Sequence, residues 1–431
     1  MVRFDLGTFS KKFPFKARFS LERIEKLLYK LGSPHLKLPP TIHVAGTNGK
    51  GSTIAFLHAI FEAAGYKAHI YTSPHLIECN ERIIIAGKKI EESYFSFLLQ
   101  ECEKYAQDQE ELTWFEFITS AAFLAYAQNP ADVLLLETGV GGRLDATNVI
   151  KSPIVTAITS ISYDHQDYLG KTLAEIAYAK AGIFKAGASA FSVAQPKEIE
   201  SVLLACAKEL SVSLFLENRD WDVQEAAKGL VYCSNLHCPK ISLAGKHQIH
   251  NAGLALSITS MLEQSHSFNL KEKHLKTGIA TASWKGRLQN LSSSLLADYL
   301  CVGSEIWLDS AHNEGGAQAL VETVETWRFL PTYFIVGMLN HKDSFTFLSV
   351  LSKVAKEFCF IPITSSEKYR APNQFIEILP HKNGFTANTL IEGLKKISQL
   401  SSTPIRVIIC GSIYLAGDIL NMLENNHERI S

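Results

Sequence analysis

The sequence predicts an α/β protein of two domains, each built on a mostly parallel sheet. Three observations carry that expectation. A β-branched run, TIHVA at 41–45, leads through a glycine turn into the helically spaced STIAFLHAIFEAAG at 52–65, where Gly65 is a stop signal. KAHIYT at 67–72 then reads as a second strand, which completes a βαβ unit. DVLLLET at 132–138 and SPIVTAITSI at 152–161 are nearly all apolar and of strand length, as buried parallel strands are. Further along, IWLDS, TYFIVGML, FCFIPIT and IRVIICG repeat the strand signal with helical segments between them.

TWFEFITSAAFLAYAQ at 113–128 reads as a helix with an aromatic-rich apolar face. LQNLSSSLLADYLCVGSE at 288–305 loses the helical period and is rich in serine. It places the expected division at 294/295, giving domains 1–294 and 295–431. A length of 431 residues suits two domains better than one core. No internal repeat or low-complexity tract is evident.

The formal net charge of -1 gives no support to a general nucleic-acid or membrane-surface role, where a basic bias is expected. The opening MVRFDLGTFSKKFPFKARFS has no continuous apolar core of a secretory leader, and no apolar run reaches bilayer length. The expectation is a cytoplasmic protein with no membrane and no nucleic-acid partner. The eight cysteines are scattered and mostly in apolar surroundings, as small core residues are. YCSNLHCPK groups Cys233, His237 and Cys238, but a structural zinc site needs a second ligand pair, so this stretch reads as a polar hairpin turn.

HVAGTNGKGST at 43–53 carries the chemistry. A phosphate is held by backbone N–H groups at a helix N-terminus, free of obstructing side chains. Gly46, Gly49 and Gly51 give that clearance, Lys50 a positive charge, and Ser52 a hydroxyl for the helix cap or a magnesium ion. The usual pattern has the hydroxyl directly after the lysine, whereas here Gly51 intervenes. On these residues alone, a phosphate loop and a glycine-rich turn both remain open.

The loop has company. In order come LERIEKLLYKLG (21–32), IHVAGTNGKGS (42–52), YTSPHL with ERI (71–83), TWFEFITSAAF (113–123) and ETGVGGRLDATN (137–148). ITSISYDHQDYLGKTLAEIA (158–177), KAGIFK (180–185), LAGKHQIHNA (243–252), WKGRLQ (284–289), WLDSAHN (307–313), GMLNHKD (337–343) and CGSIYLAG (410–417) follow. This series resembles the folylpolyglutamate synthase and dihydrofolate synthase family of the Mur ligase superfamily, whose nucleotide loop carries the extra residue. The resemblance spans nearly the whole chain. It implies a P-loop-type ATPase domain followed by a smaller Rossmann-like domain.

The implied reaction is ATP-dependent amide formation. A folate or dihydropteroate carboxylate takes the γ-phosphate of ATP, and the amine of L-glutamate attacks the resulting acyl phosphate. The resemblance assigns Asn48, Gly49, Lys50, Gly51, Ser52, Asn251, Arg287 and Asp309 to ATP. It assigns Ser52, Ser73, Glu137 and His165 to two magnesium sites, and makes Lys180 a carbamate. Lys50, His165 and Lys180 then form the catalytic set. Thr113, Trp114, Phe115, Glu116, Leu144, Asp145 and Ala146 match folate-side positions, and His312 and Ser412 the glutamate end. Two positions depart from the pattern: Ala179 and His341 stand where relatives often carry an acid. A monomer is the implied state. Two other readings are a cell-wall Mur-type ligase and a catalytically silent nucleotide switch. Against the first, only about forty residues precede the loop, too few for an added domain of ordinary size. Against the second, the metal-side residues, Asp309 and His312 are all present.

Overall fold

The structure, a computed structural model, describes residues 20–106, 112–379 and 383–427. Most of the stretch read for a leader, residues 1–19, lies outside the described residues. The chain divides into two compact units, one of residues 1–242 and 249–282, the other of residues 243–248 and 283–431.

The first unit is built on an eight-stranded sheet. Its strands are β1 (Thr41–Ala45), β2 (Ala68–Tyr71), β3 (Ile83–Ile85), β4 (Lys88–Lys89), β5 (Val133–Glu137), β6 (Val155–Ile158), β7 (Ser189–Ser192) and β8 (Leu214–Leu216). Their spatial order is β4-β3-β2-β5-β1-β6-β7-β8. From β2 to β8 the pairings are parallel, and the β3–β4 hairpin extends the β2 edge antiparallel. Every residue of β1, β5 and β6 is buried, so these strands lack the buried-exposed alternation of a one-sided sheet. The chain leaves β1 toward β2 on one side and later lays β6 on the other. In such sheets ligands bind beyond the strand ends at the point where the order reverses.

Helix α1 (Lys50–Ala63) starts two residues earlier than its apolar period suggested. Gly49 is the reason. At φ 95° it takes the left-handed cap conformation that glycine adopts at little cost, which brings Lys50 and Gly51 into the first turn. Helix α2 (Trp114–Gln128) is fixed by a capping box: Thr113 accepts from the Glu116 N–H, and the Glu116 carboxylate reaches back to the Thr113 N–H. Helices α3 (Leu173–Ala181), α4 (His247–Gln264) and α5 (Glu272–Thr281) follow. A small antiparallel sheet of β9 (Val223–Glu225), β10 (Leu230–Tyr232) and β11 (Leu236–Cys238) contains the expected hairpin, which turns on positive φ at Cys233 and Ser234.

The second unit has strands β12 (Gln289–Asn290), β13 (Glu305–Leu308), β14 (Thr332–Val336), β15 (Glu357–Phe360), β16 (Gly384–Thr386) and β17 (Arg406–Cys410). Their order is β12-β13-β17-β14-β15-β16, parallel from β13 to β16. The boundary expected at 294/295 therefore falls inside this unit. Gln289 and Asn290 pair with Leu308 and Trp307, which makes the serine-rich stretch part of the second sheet's edge rather than a linker.

Gly278 of α5 is where that helix crosses α1. A Cβ there would lie 2.5 Å from the Ile60 backbone N and 2.6 Å from its Cα. Alanine gains about 1 kcal/mol of helix propensity over glycine. Overpacking against a fixed backbone costs about 1–3 kcal/mol and outweighs it. Gly278→Ala is expected to lower the urea midpoint with an unchanged slope, as read by circular dichroism.

Candidate active site

The C-terminal ends of β1, β5 and β6 lie side by side, and each opens into a functional loop. After β1, Gly46 takes φ 148°, and a Cβ there would overlap the Thr159 hydroxyl beyond β6. A side chain at Gly49 would likewise overlap the Asn251 amide oxygen. The loop 46–49 is therefore glycine-dependent for both backbone angle and clearance. It is tied to the segment after β6 by Thr47 and Asn48 N–H groups donating to the Ser160 carbonyl, at 2.8 and 3.3 Å.

Lys50 folds back over this loop. Its Nζ donates to the Gly46 and Thr47 carbonyls, each at 3.2 Å, and lies 3.8 Å from Glu137 Oε1. Lys180, from the last turn of α3, is 4 % exposed and donates to the same Gly46 carbonyl at 2.8 Å. Burial, and next the positive Lys50, lower its pKa to about 7, against the partial opposition of Asp164 and Asp145. Near neutral pH a large fraction of this amine is uncharged, which is the form that reacts with carbon dioxide.

Glu137 ends β5 at 5 % exposure, and its Oε2 accepts the Ser73 N–H at 3.4 Å. The buried Ser73 Oγ has no hydrogen-bond partner in the protein, as does Thr53 Oγ1 next to the buried Ser52. Among the described residues no group of three or more His, Cys, Asp or Glu is placed to hold a metal. Magnesium does not need one: it takes one or two carboxylates and completes its shell with water and phosphate oxygens. Glu137, the orphaned Ser73 hydroxyl and Ser52 fit that donor set. His165 sits at φ 52° just before the short helix Gln166–Leu169, with its Nε2 3.9 Å from Asp164 Oδ2.

Asn251, 5 % exposed in α4, is placed from below by its neighbour. His250 Nδ1 donates to Glu217 Oε1 at 2.6 Å, and Glu217 Oε2 accepts the Ala194 N–H at 2.8 Å. Glu217 lies outside every sequence motif, and His250 lies within LAGKHQIHNA without an assigned role.

The residues expected on the folate side divide. Trp114 is 7 % exposed and stacks on Phe117 at 6.0 Å, while Glu116, 5 % exposed, is held by the Thr113 cap and by Arg23 at 2.8 Å. Both face inward and serve the helix. The Phe115 ring instead covers Gly139, where any side chain would strike it. Leu144 is 46 % exposed, and with Val140–Arg143, Tyr168 and Tyr178 it lines a cleft of about 570 Å³. Ala146 is buried. Asp145, 2 % exposed, accepts from Gly139 N, Val140 N, Thr147 N and Thr147 Oγ1. Those four bonds occupy the capacity of a carboxylate, so Asp145 organises its own loop.

On the second unit, Asp309 follows β13 and Ser412 follows the adjacent β17. Asp309 accepts from Leu288 N at 2.8 Å and Ala311 N at 2.7 Å, which fixes the segment bearing Arg287. Gly411 N donates to the Ala311 carbonyl at 2.8 Å, and His312 Nδ1 bonds the Ser310 carbonyl at 2.9 Å. Arg287, Asp309, His312 and Ser412 thus share one edge of that sheet. His341 lies beyond the end of neighbouring β14 and is exposed.

Comparison with known proteins agrees with this layout. Residues 44–259 match the Mur ligase middle domain, and residues 301–422 match the C-terminal domain of dihydrofolate synthetase. The dihydrofolate synthase/folylpolyglutamate synthase of Bacillus subtilis (strain 168) is 30% identical over 426 residues, covering 95% of this chain and 96% of that one. This chain belongs to the folylpolyglutamate synthase/dihydrofolate synthase family of Mur ligases. The Escherichia coli (strain K12) member is 31% identical over 94% of this chain and 91% of its own length. E. coli FolC in complex with DHPP and ADP superimposes with a TM-score of 0.86 at 27% identity, covering 97% of each chain. A bifunctional member with Mn, AMPPNP and L-glutamate bound gives a TM-score of 0.82 at 29% identity, again covering 97% of each chain. The dihydrofolate-type C-terminal match sets the chain apart from the cell-wall ligases.

Lys180 makes two measurable statements. With 13C-bicarbonate, the wild-type protein is expected to show a carbamate 13C resonance that Lys180→Arg lacks. In carbon-dioxide-free buffer the unfolded lysine stays protonated above pH 7 while the native one does not. The unfolded state then binds more protons, so stability rises with pH from about 7 to about 10.5, by up to about 1.4 kcal/mol per unit. Lys180→Met removes that slope in urea titrations.

Proposed function

We propose that this chain joins L-glutamate to the carboxylate of a folate or dihydropteroate, with ATP consumed and an acyl phosphate as the intermediate. One observation carries the reading: two lysine amines converge on the Gly46 carbonyl at the mouth of a glycine-dependent loop, beside a buried glutamate and an unpartnered serine hydroxyl.

A carboxylate is a poor acyl donor because oxide is a poor leaving group. Phosphorylation supplies one, and the glutamate amine then displaces phosphate. The protein's part is to hold the phosphates, place the carboxylate in line and exclude water. The backbone amides from Asn48 to Ser52, at the positive end of α1, face the β- and γ-phosphates. Lys50 exchanges its bonds to Gly46 and Thr47 for phosphate oxygens. Glu137, Ser73 and Ser52 would hold a magnesium ion that neutralises charge on the transferring phosphoryl group. His165 and a carbamylated Lys180 would hold a second ion; the carbamate would place an anion beside Lys50. Asn251 supports the nucleotide from α4.

Thr113, Phe115, Leu144 and the loop organised by Asp145 form the pterin side, with the Phe115 ring offering a face for stacking. Trp114, Glu116 and Ala146 act from behind it. In the second unit, Arg287 and Asp309 serve the nucleotide, and His312 and Ser412 the glutamate. The enzyme acts as a cytoplasmic monomer without nucleic-acid partners. No helix among the described residues is long and apolar enough to cross a membrane.

The test is ADP release from ATP, magnesium and glutamate, run side by side with dihydropteroate and tetrahydrofolate. Turnover with at least one is expected. Lys50→Ala should lower kcat by about a thousandfold or more, the scale of losing a positioned cation on a transferring phosphoryl group. Full turnover in that variant, or no pterin-dependent ADP release by the wild type, contradicts the assignment.

A further inference from the structure

We propose that His43 is a positioning residue for the pterin-side loop, acting through Thr147 and Asp145. The proposal rests on the ligase reading above and adds a residue to it.

His43 lies in the middle of β1, with all of its side chain buried, paired with Leu136 of β5 and Thr156 of β6. Its Nε2 is 2.8 Å from Thr147 Oγ1. Thr147 Oγ1 gives its one hydroxyl proton to Asp145 Oδ1 at 2.6 Å, one of four donors that this carboxyl group accepts. The hydroxyl can then only accept from His43, which fixes the proton on Nε2. The other ring nitrogen is consistent with this: His43 Nδ1 is buried without a partner, as a bare nitrogen can be and an N–H is not. Burial and the positive Lys185 hold the imidazole neutral, with its pKa lowered to about 3.

From Asp145 the relay continues through Oδ2 to the N–H groups of Gly139 at 2.9 Å and Val140 at 2.8 Å. These begin the loop that Phe115 covers and that carries Leu144. The same loop is anchored to the helix bearing Lys180, through Arg143 N to the Ala179 carbonyl at 2.7 Å. Strand β1 therefore does two things. Its end becomes the phosphate loop, and three residues earlier its side chain sets the substrate loop. Both loops are referenced to one strand, which holds the reacting carboxylate and the γ-phosphate in register.

Two experiments test this. In protein labelled with 15N-histidine, His43 is expected to show the neutral Nε2–H tautomer across roughly pH 5 to 9. A titrating ring, or a proton on Nδ1, overturns the relay. This readout needs no substrate, so it stands or falls apart from the ligase assignment. In kinetics, His43→Leu and Thr147→Val should each raise the KM for the pterin substrate about tenfold, the scale of one buried hydrogen bond to a charged network. The KM for ATP should stay within about twofold, and the double variant should be no worse than either single one. His43→Gln and Thr147→Ser, which keep the donor and the hydroxyl, should restore most of the affinity. Additive losses, equal rises in both KM values, or no rescue by the conservative pair would refute the proposal.

Discussion

Two lysine amines donate to one carbonyl oxygen, that of Gly46, and the rest of the first unit is arranged around that crowding. Burial of Lys180, and next the positive charge of Lys50, lower its pKa to about 7, while Lys50 keeps its own contact with Glu137. The site is left with an amine ready for modification and a positive potential suited to an anion. The glycines are required by the same geometry, since any side chain at Gly46 or Gly49 would displace Thr159 or Asn251.

The sheet makes this arrangement possible. Strands β5, β1 and β6 are adjacent and parallel, so Glu137, the phosphate loop and the Thr159–His165 segment emerge at one edge. Polar side chains, the buried Asp145 and Glu217 among them, tie these segments and α4 down rather than leaving them to solvent. Asp145 holds the first, Glu217 and His250 hold the approach of Asn251, and Gln195 bridges the Thr159 carbonyl and the Ile161 N–H. Buried networks of this kind are costly unless fully satisfied, and satisfied they enforce one conformation. That rigidity is what an in-line phosphoryl transfer demands.

Much of this was legible in the residues. The strand TIHVA and the glycine pattern after it located the phosphate loop, and the apolar runs located β5 and β6. The pterin-side residues were less legible. In TWFE, T-x-x-E before an apolar run is itself a capping-box signal, and that motif turns Glu116 inward toward Thr113 and Arg23. Spacing likewise cannot show that four donors of its own loop fill Asp145. His43 gave no signal at all: a polar residue in an apolar strand looks like noise until its partner across 104 positions is seen. The domain boundary was misplaced for a similar reason. Loss of helical period at 288–305 marks an edge strand as readily as a linker, and only the pairing of Gln289 with Leu308 decides between them.

The central claim is that the amides from Asn48 to Ser52 grip the triphosphate of ATP while Lys50 turns from its own loop to the phosphates. A crystal structure with a non-hydrolysable ATP analogue and magnesium tests it most directly. The account requires β- and γ-phosphate oxygens within hydrogen-bond distance of those amides, Lys50 Nζ moved off the Gly46 carbonyl, and a metal ion touching Ser73 and Glu137. A triphosphate bound elsewhere, with Lys50 still on Gly46, would contradict it.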